Sequence, residues 1–121
     1  MEKSFFDRMG NAVAYLTDDY YNTIYLWNGQ QVAYLFDDRL IYGINGRHLG
    51  WFIDGILYNN SGERIGFTSG ACPVAPSKEP VKSKKQLKDE IQSRWKENPL
   101  PKLQFVPASE DFSDFLSAGQ V

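Results

Sequence analysis

Apolar and polar positions along the first seventy residues repeat one phrase four times. The copies read FFDRMGNAVAYLTD, IYLWNGQQVAYLFD, IYGINGRHLGWFID and LYNNSGERIGFTSG, and their central glycines, Gly10, Gly29, Gly46 and Gly62, are spaced 19, 17 and 16 residues apart. Four positions before each glycine stands an aromatic residue (Phe6, Tyr25, Tyr42, Tyr58), preceded by an apolar one (Phe5, Ile24, Ile41, Leu57). Three positions after it comes an aliphatic residue (Val13, Val32, Leu49, Ile65), and five after it another aromatic (Tyr15, Tyr34, Trp51, Phe67). Apolar residues two apart on the returning strand point to one buried face. The glycine follows Met9, Asn28, Asn45 or Ser61. Asn-Gly between apolar runs is a strong hairpin signal, and glycine supplies the positive φ of a type I′ turn or a G1 bulge. Each copy therefore predicts a β-hairpin.

Between the aliphatic and the second aromatic lies a column that is small in all four copies: Ala14, Ala33, Gly50 and Gly66. Glycine weakens a strand, so something must approach this column closely. Four equivalent hairpins meeting around a pseudo-four-fold axis are the simplest arrangement that does so. Asp18, Asp37 and Asp54 share a further column after the returning strand, with Asp19, Asp38 and Gly55 beside them. Aspartate there suits turns; a cation site is the functional alternative, although no D-x-D-x-D-G loop accompanies it.

This pattern resembles the 4-fold beta flower family over roughly residues 4–70, most specifically in the glycine column and in the motifs VAYL, VAYL, LGWF and IGFT. The resemblance implies a mainly β fold of four hairpins set like petals around a pseudo-four-fold axis. It implies no activity and no catalytic residues.

The composition changes near residue 70. Fourteen of the eighteen aromatic residues lie before it, and all six prolines after it. The sequence therefore divides into a four-hairpin domain over 1–72, a Pro-rich extended linker over 73–82 and a C-terminal tail over 83–121. In the tail, Ser83 and Gln86 form a capping-box pattern, and Leu87, Ile91 and Trp95 make a narrow apolar stripe, which predicts a helix near 83–97. Lys84 and Lys85 oppose the dipole of its first turn. A Ser109 cap candidate, acidic neighbours and Phe112, Phe115 and Leu116 at helical spacing predict a short helix near 109–117. An exposed Phe-Phe-Leu face would be sticky, so it should bury on the hairpins or on another protein.

Charge and chemistry add exclusions. The hairpin half carries five basic and eight acidic residues, and the remainder eight and seven, for a formal net charge of −2. That balance argues against nucleic acid and acidic membranes. Lys78, Lys82, Lys84, Lys85 and Lys88, interrupted by Asp89 and Glu90, read as a solvated face. Cys72 is the only cysteine and His48 the only histidine, so neither a disulfide framework nor a tetrahedral zinc site is available, and no cofactor is implied. His48 shares a varied column with Ala12, Gln31 and Arg64 and reads as a surface residue. Gly43, Gly46 and Gly50 do not spell a dinucleotide fingerprint.

The functional expectation is a cytoplasmic, non-catalytic interaction or assembly module, binding a protein partner or a second copy through its tail. Leu87, Ile91, Trp95, Phe112, Phe115 and Leu116 are the docking residues of the tail, on a partner or on its own hairpin domain. Tyr20, Tyr21 and Trp27, which no repeat column explains, are candidates for a contact surface. The alternative is a small-ligand protein or enzyme with a pocket at the pseudo-axis or at the Asp18, Asp37 and Asp54 column.

Overall fold

The structure, a computed structural model describing residues 2–121, is a closed antiparallel barrel of eight strands in sequence order. These are β1 (Lys3–Phe6), β2 (Ala12–Leu16), β3 (Thr23–Leu26), β4 (Gln31–Phe36), β5 (Leu40–Gly43), β6 (His48–Ile53), β7 (Ile56–Asn59) and β8 (Arg64–Phe67). One short helix, α1 (Phe112–Ser117), follows. Each sequence copy is one hairpin.

The hairpin tips share one construction. The N–H groups of Gly10, Gly29, Gly46 and Gly62 donate to the carbonyls three residues earlier, at 2.9–3.0 Å, and φ is positive at the glycine alone, between 79° and 93°. Glycine thus serves a G1 bulge, not a type I′ turn. The residues with paired positive φ lie at the opposite ends of the hairpins: Asp37 with Asp38, and Asp54 with Gly55. Two of the three members of the aspartate column are therefore turn residues in left-handed backbone.

Each hairpin register shifts once, so that Ile24 faces Ala33 and Tyr25 faces Gln31, leaving Val32 as the extra residue; Leu49 and Ile65 are placed likewise. The bulge separates the two apolar columns that simple alternation puts on one face. Val32, Leu49 and Ile65 join the central core, while Tyr34 and Trp51 belong to a second cluster and Phe67 to a third.

The central core is built of opposed large and small residues: Phe5 faces Ala14, Ile24 faces Ala33, Ile41 faces Gly50 and Leu57 faces Gly66. Into the space left by the small partners comes α1. A Cβ on Gly66 would collide with the Phe112 ring, and one on Gly50 would meet the Tyr58 carbonyl and, at 3.1 Å, the Phe115 ring. The hairpins alone do not explain the small column; the C-terminal helix fills the axis. Phe112, Phe115 and Leu116 are all buried there. Asp111, rather than Ser109, caps the helix by accepting the Asp114 N–H at 3.1 Å. At the other end the Asn45 side-chain amide donates to the carbonyls of Ala118 and Gln120.

The aromatic columns pair between neighbouring hairpins. Tyr15 faces Tyr25, Tyr34 faces Tyr42, Trp51 faces Tyr58, and Phe67 faces Phe6 where the barrel closes. The first two pairs stack with centroids 5.6 and 6.1 Å apart. Fourfold repetition thus returns the last strand to the first with the same pairing.

Residues 73–108 form a strap around this barrel, and 83–97 contain no helix. The strap's N–H groups at Ser77, Gln86, Trp95 and Gln104 donate to the carbonyls of Gly10, Gly29, Gly46 and Gly62 at 2.8–2.9 Å. These donors are nine residues apart. So are the carbonyls of Ala75, Lys84, Ser93 and Lys102, which occupy the places where a Cβ on those four glycines would stand. Nine extended residues reach up to about 30 Å, whereas a helix of nine covers about 13 Å. Successive tips offer exposed carbonyls, and bonding each of them needs extended chain, which overrides the local helical preference. In the extended form the stripe splits: Leu87 is 96% exposed, while Ile91 packs against the Tyr34 and Trp51 cluster. Residues 73–82 are extended as expected, but they are bonded to the barrel rather than free.

The lysines of the strap are not a plain solvated face. Lys82 and Lys85 pair with Glu2, and Lys88 with Asp19. Lys82 also lies over Tyr15 at 4.5 Å, and Arg94 lies over Phe36 at 3.8 Å. His48 is buried, only 6% exposed, which overturns the surface reading. Its Nε2 faces the Gly50 carbonyl at 2.9 Å and its Nδ1 accepts the Asn98 N–H at 3.0 Å, which fixes the neutral Nε2–H tautomer. In the second hairpin Gln31 Oε1 accepts the Asp89 N–H in the same way. Nine residues to either side the strap has Pro80 and Pro107, which lack an N–H, and the column there holds Ala12 and Arg64, which lack an acceptor. The varied column therefore follows the donor pattern of the strap.

Two tests follow from this packing. Gly66→Ala is expected to destabilise the protein by about 1–3 kcal/mol through overpacking, and by less in a Phe112→Ala background, because the two sites are in contact. Additive losses in urea melts of the four proteins would place the helix elsewhere. Burial lowers the pKa of His48 below its usual value, against the opposing pulls of the Gly50 carbonyl and Glu97. The folded state thus requires neutral imidazole, and stability should be full above the unfolded-state pKa of about 6.5 and decline as pH falls below it. Melts at about pH 7.5 and 5.5 should show this loss in the parent and not in His48→Gln, which imports the side chain of the second hairpin.

Candidate functional site

The most exposed aromatic surface lies in the connection between β2 and β3. Tyr20 is 90% and Tyr21 52% exposed, and their rings meet edge to face with centroids 4.9 Å apart. The loop beneath them is fastened. Asp19 accepts the N–H and the hydroxyl of Thr23, both at 2.9 Å, and the ammonium of Lys88 at 2.8 Å. Burial by itself would raise the pKa of Asp19; the bonds from Lys88 and Thr23 outweigh it and hold the carboxyl at about 2. Asn22, with φ of 53°, completes the turn. The tyrosines are therefore presented by an ordered loop, and Leu87 stands exposed in the strap next to Lys88.

Trp27 is not part of this surface. It lies at the other end of β3, half-buried, with Nε1 donating to the Pro80 carbonyl at 3.0 Å, its ring edge-on to Tyr15 and Lys82 above it. The proposed docking residues of the tail also separate. Phe112, Phe115 and Leu116 sit in the core of their own chain. Trp95 is 60% exposed, with Arg47 over its ring, and its carbonyl accepts the Tyr42 hydroxyl. The signal that could have revealed the strap is its nine-residue period, but backbone groups carry it and the side chains do not repeat.

Among the described residues no group of three or more His, Cys, Asp or Glu side chains is placed to hold a metal ion. The axis proposed for a pocket is filled by Phe5, Ile41, Leu57 and α1. Cys72 is half-buried beside Tyr58 and Phe67, its thiol 3.6 Å from the Asp7 carbonyl. Among the described residues no helix is long and apolar enough to cross a membrane.

No curated protein and no solved structure matches the chain. The family described as 4-fold beta flower protein matches residues 3–116, a span that takes in the strap and most of α1 as well as the four hairpins. With its four hairpins closed into one barrel and nearly its whole length matched, the chain belongs to the 4-fold beta flower family.

Proposed function

We propose that the protein is a non-catalytic interaction module whose contact surface for a protein partner is the Tyr20–Tyr21 loop, flanked by Leu87. The observation that carries this reading is a pair of exposed tyrosines on a loop already ordered by Asp19. Aromatic side chains held in place contribute contact area at little entropic cost and are common binding hot spots. The tail, expected to dock either on its own hairpins or on a partner, is occupied by its own barrel, which leaves this loop as the better candidate. Lys82, Lys85, Lys88 and Arg94 of the strap are engaged with Glu2, Asp19 and aromatic rings, which supports a protein partner over nucleic acid or a membrane. The reading places the protein in the cytoplasm, where a lone reduced thiol such as Cys72 is the ordinary state.

The test compares what the immobilised full chain retains from host lysate with what Tyr20→Ala/Tyr21→Ala and Asp19→Asn retain, each variant first checked to be fully folded at the temperature of the experiment. A specific protein held by the parent should bind the double variant at least about tenfold more weakly. Asp19→Asn should weaken binding to an intermediate degree, because the tyrosines remain but the loop is loosened. Equal retention by all three proteins, or none by the parent, would remove the reading.

A further inference from the structure

The barrel has one imperfect seam. Neighbouring hairpins elsewhere pair through three or four residues, but β8 meets β1 at Phe67 and Phe6 alone. Beyond that pair the end of the strap bonds to β8 instead: the Arg64 N–H donates to the Val106 carbonyl at 3.0 Å and the Arg64 carbonyl accepts the Ala108 N–H at 2.8 Å. A hollow of about 350 Å³ results, lined by Arg8 and Met9 from the first tip, Arg64 and Phe67 from β8, Phe105 and Pro107 from the strap, and a short stretch following β8.

We propose that this seam is a binding site for a small organic carboxylate with an apolar body. The charge is the first support. No acidic residue lines the hollow. Neither Arg8 nor Arg64 forms an ion pair among the described residues. Arg8 makes one long contact, from Nη1 to the Ala108 carbonyl at 3.5 Å, and Arg64 donates from Nε to the Gln104 carbonyl at 3.2 Å. Each guanidinium has five N–H donors, so most remain available. Asp7, Glu110 and Asp111 line an adjoining hollow of about 300 Å³ that shares the two arginines, and none of them is ion-paired to either. In a protein of net charge −2, two arginines lining one acid-free hollow are a local exception.

The walls are the second support. Phe105 is 86% and Met9 68% exposed, an unfavourable state that an apolar ligand would relieve. The Arg64 guanidinium lies over the Phe105 ring at 4.5 Å, which fixes the ring and the cation together. A planar fork of N–H donors matches a carboxylate, and the volume falls at the small end of ligand sites. The site goes beyond the partner surface at Tyr20 and Tyr21 and stands or falls independently of it.

The test titrates the full chain calorimetrically with octanoate and with 1-octanol, which has the same chain length and no charge, and follows the Met9 methyl resonance. Octanoate should bind, shift that resonance, and bind at least about tenfold more tightly than octanol. Arg8→Gln, in an exposed turn, should fold normally and weaken octanoate about tenfold. Equal binding of the two ligands would overturn the carboxylate. Absence of octanoate binding up to about 10 mM, or binding that neither moves Met9 nor responds to Arg8→Gln, would overturn the site.

Discussion

Of the hydrogen bonds that join the strap to the barrel, four, one at each hairpin tip, depend on the absence of a side chain. A tip carbonyl can accept a strap N–H only if the strap backbone comes close, and the strap carbonyl two residues before each donor occupies the space a Cβ would need. Glycine is thus required twice at each tip: for its positive φ and for this approach. The strap then covers the paired aromatics on the outside of the barrel, which would otherwise be exposed to water. Lys82, Lys85 and Arg94 rest on those rings, and Glu2 and Asp19 complete the charge pairing.

A second layer of dependence lies at the axis. The large-against-small pairs across each hairpin leave room that the hairpins do not fill themselves. Phe112, Phe115 and Leu116 enter it, so α1 completes a core whose other members, apart from Ala108 of the strap, come from the first sixty-five residues. A barrel of this size has a marginal core. Strap and helix bond and pack the C-terminal half onto the hairpins, and the family match over residues 3–116 has the same extent. The division into a folded domain and an appendage does not describe this molecule.

The two surfaces proposed above lie where the repeat is interrupted. Tyr20 and Tyr21 lie in the longest connection between hairpins, outside every repeat column. Arg8 lies in the first copy, which has Asp7 and Arg8 where the other copies have no charged residue, and Arg64 lies beside the seam that this copy closes incompletely. Repetition builds the scaffold, and departures from it leave exposed aromatic and cationic groups.

The sequence by itself determined the hairpins, their number, the glycine tips and the short C-terminal helix, because each rests on local geometry: positive φ, alternation along a strand, helical spacing. It showed that Ala14, Ala33, Gly50 and Gly66 must be approached closely, without showing by what. Only the tertiary structure decided that Phe112 and Phe115 do so, that His48 is buried against Asn98, and that residues 83–97 run extended rather than helical. In each case the deciding partner lies thirty or more residues away. For the strap it is moreover a backbone carbonyl, which has no letter of its own in the sequence. Capping and stripe signals at Ser83, Gln86, Leu87, Ile91 and Trp95 describe what that segment would do alone. Fixed acceptors at Gly29 and Gly46 made the extended chain the better bonded one.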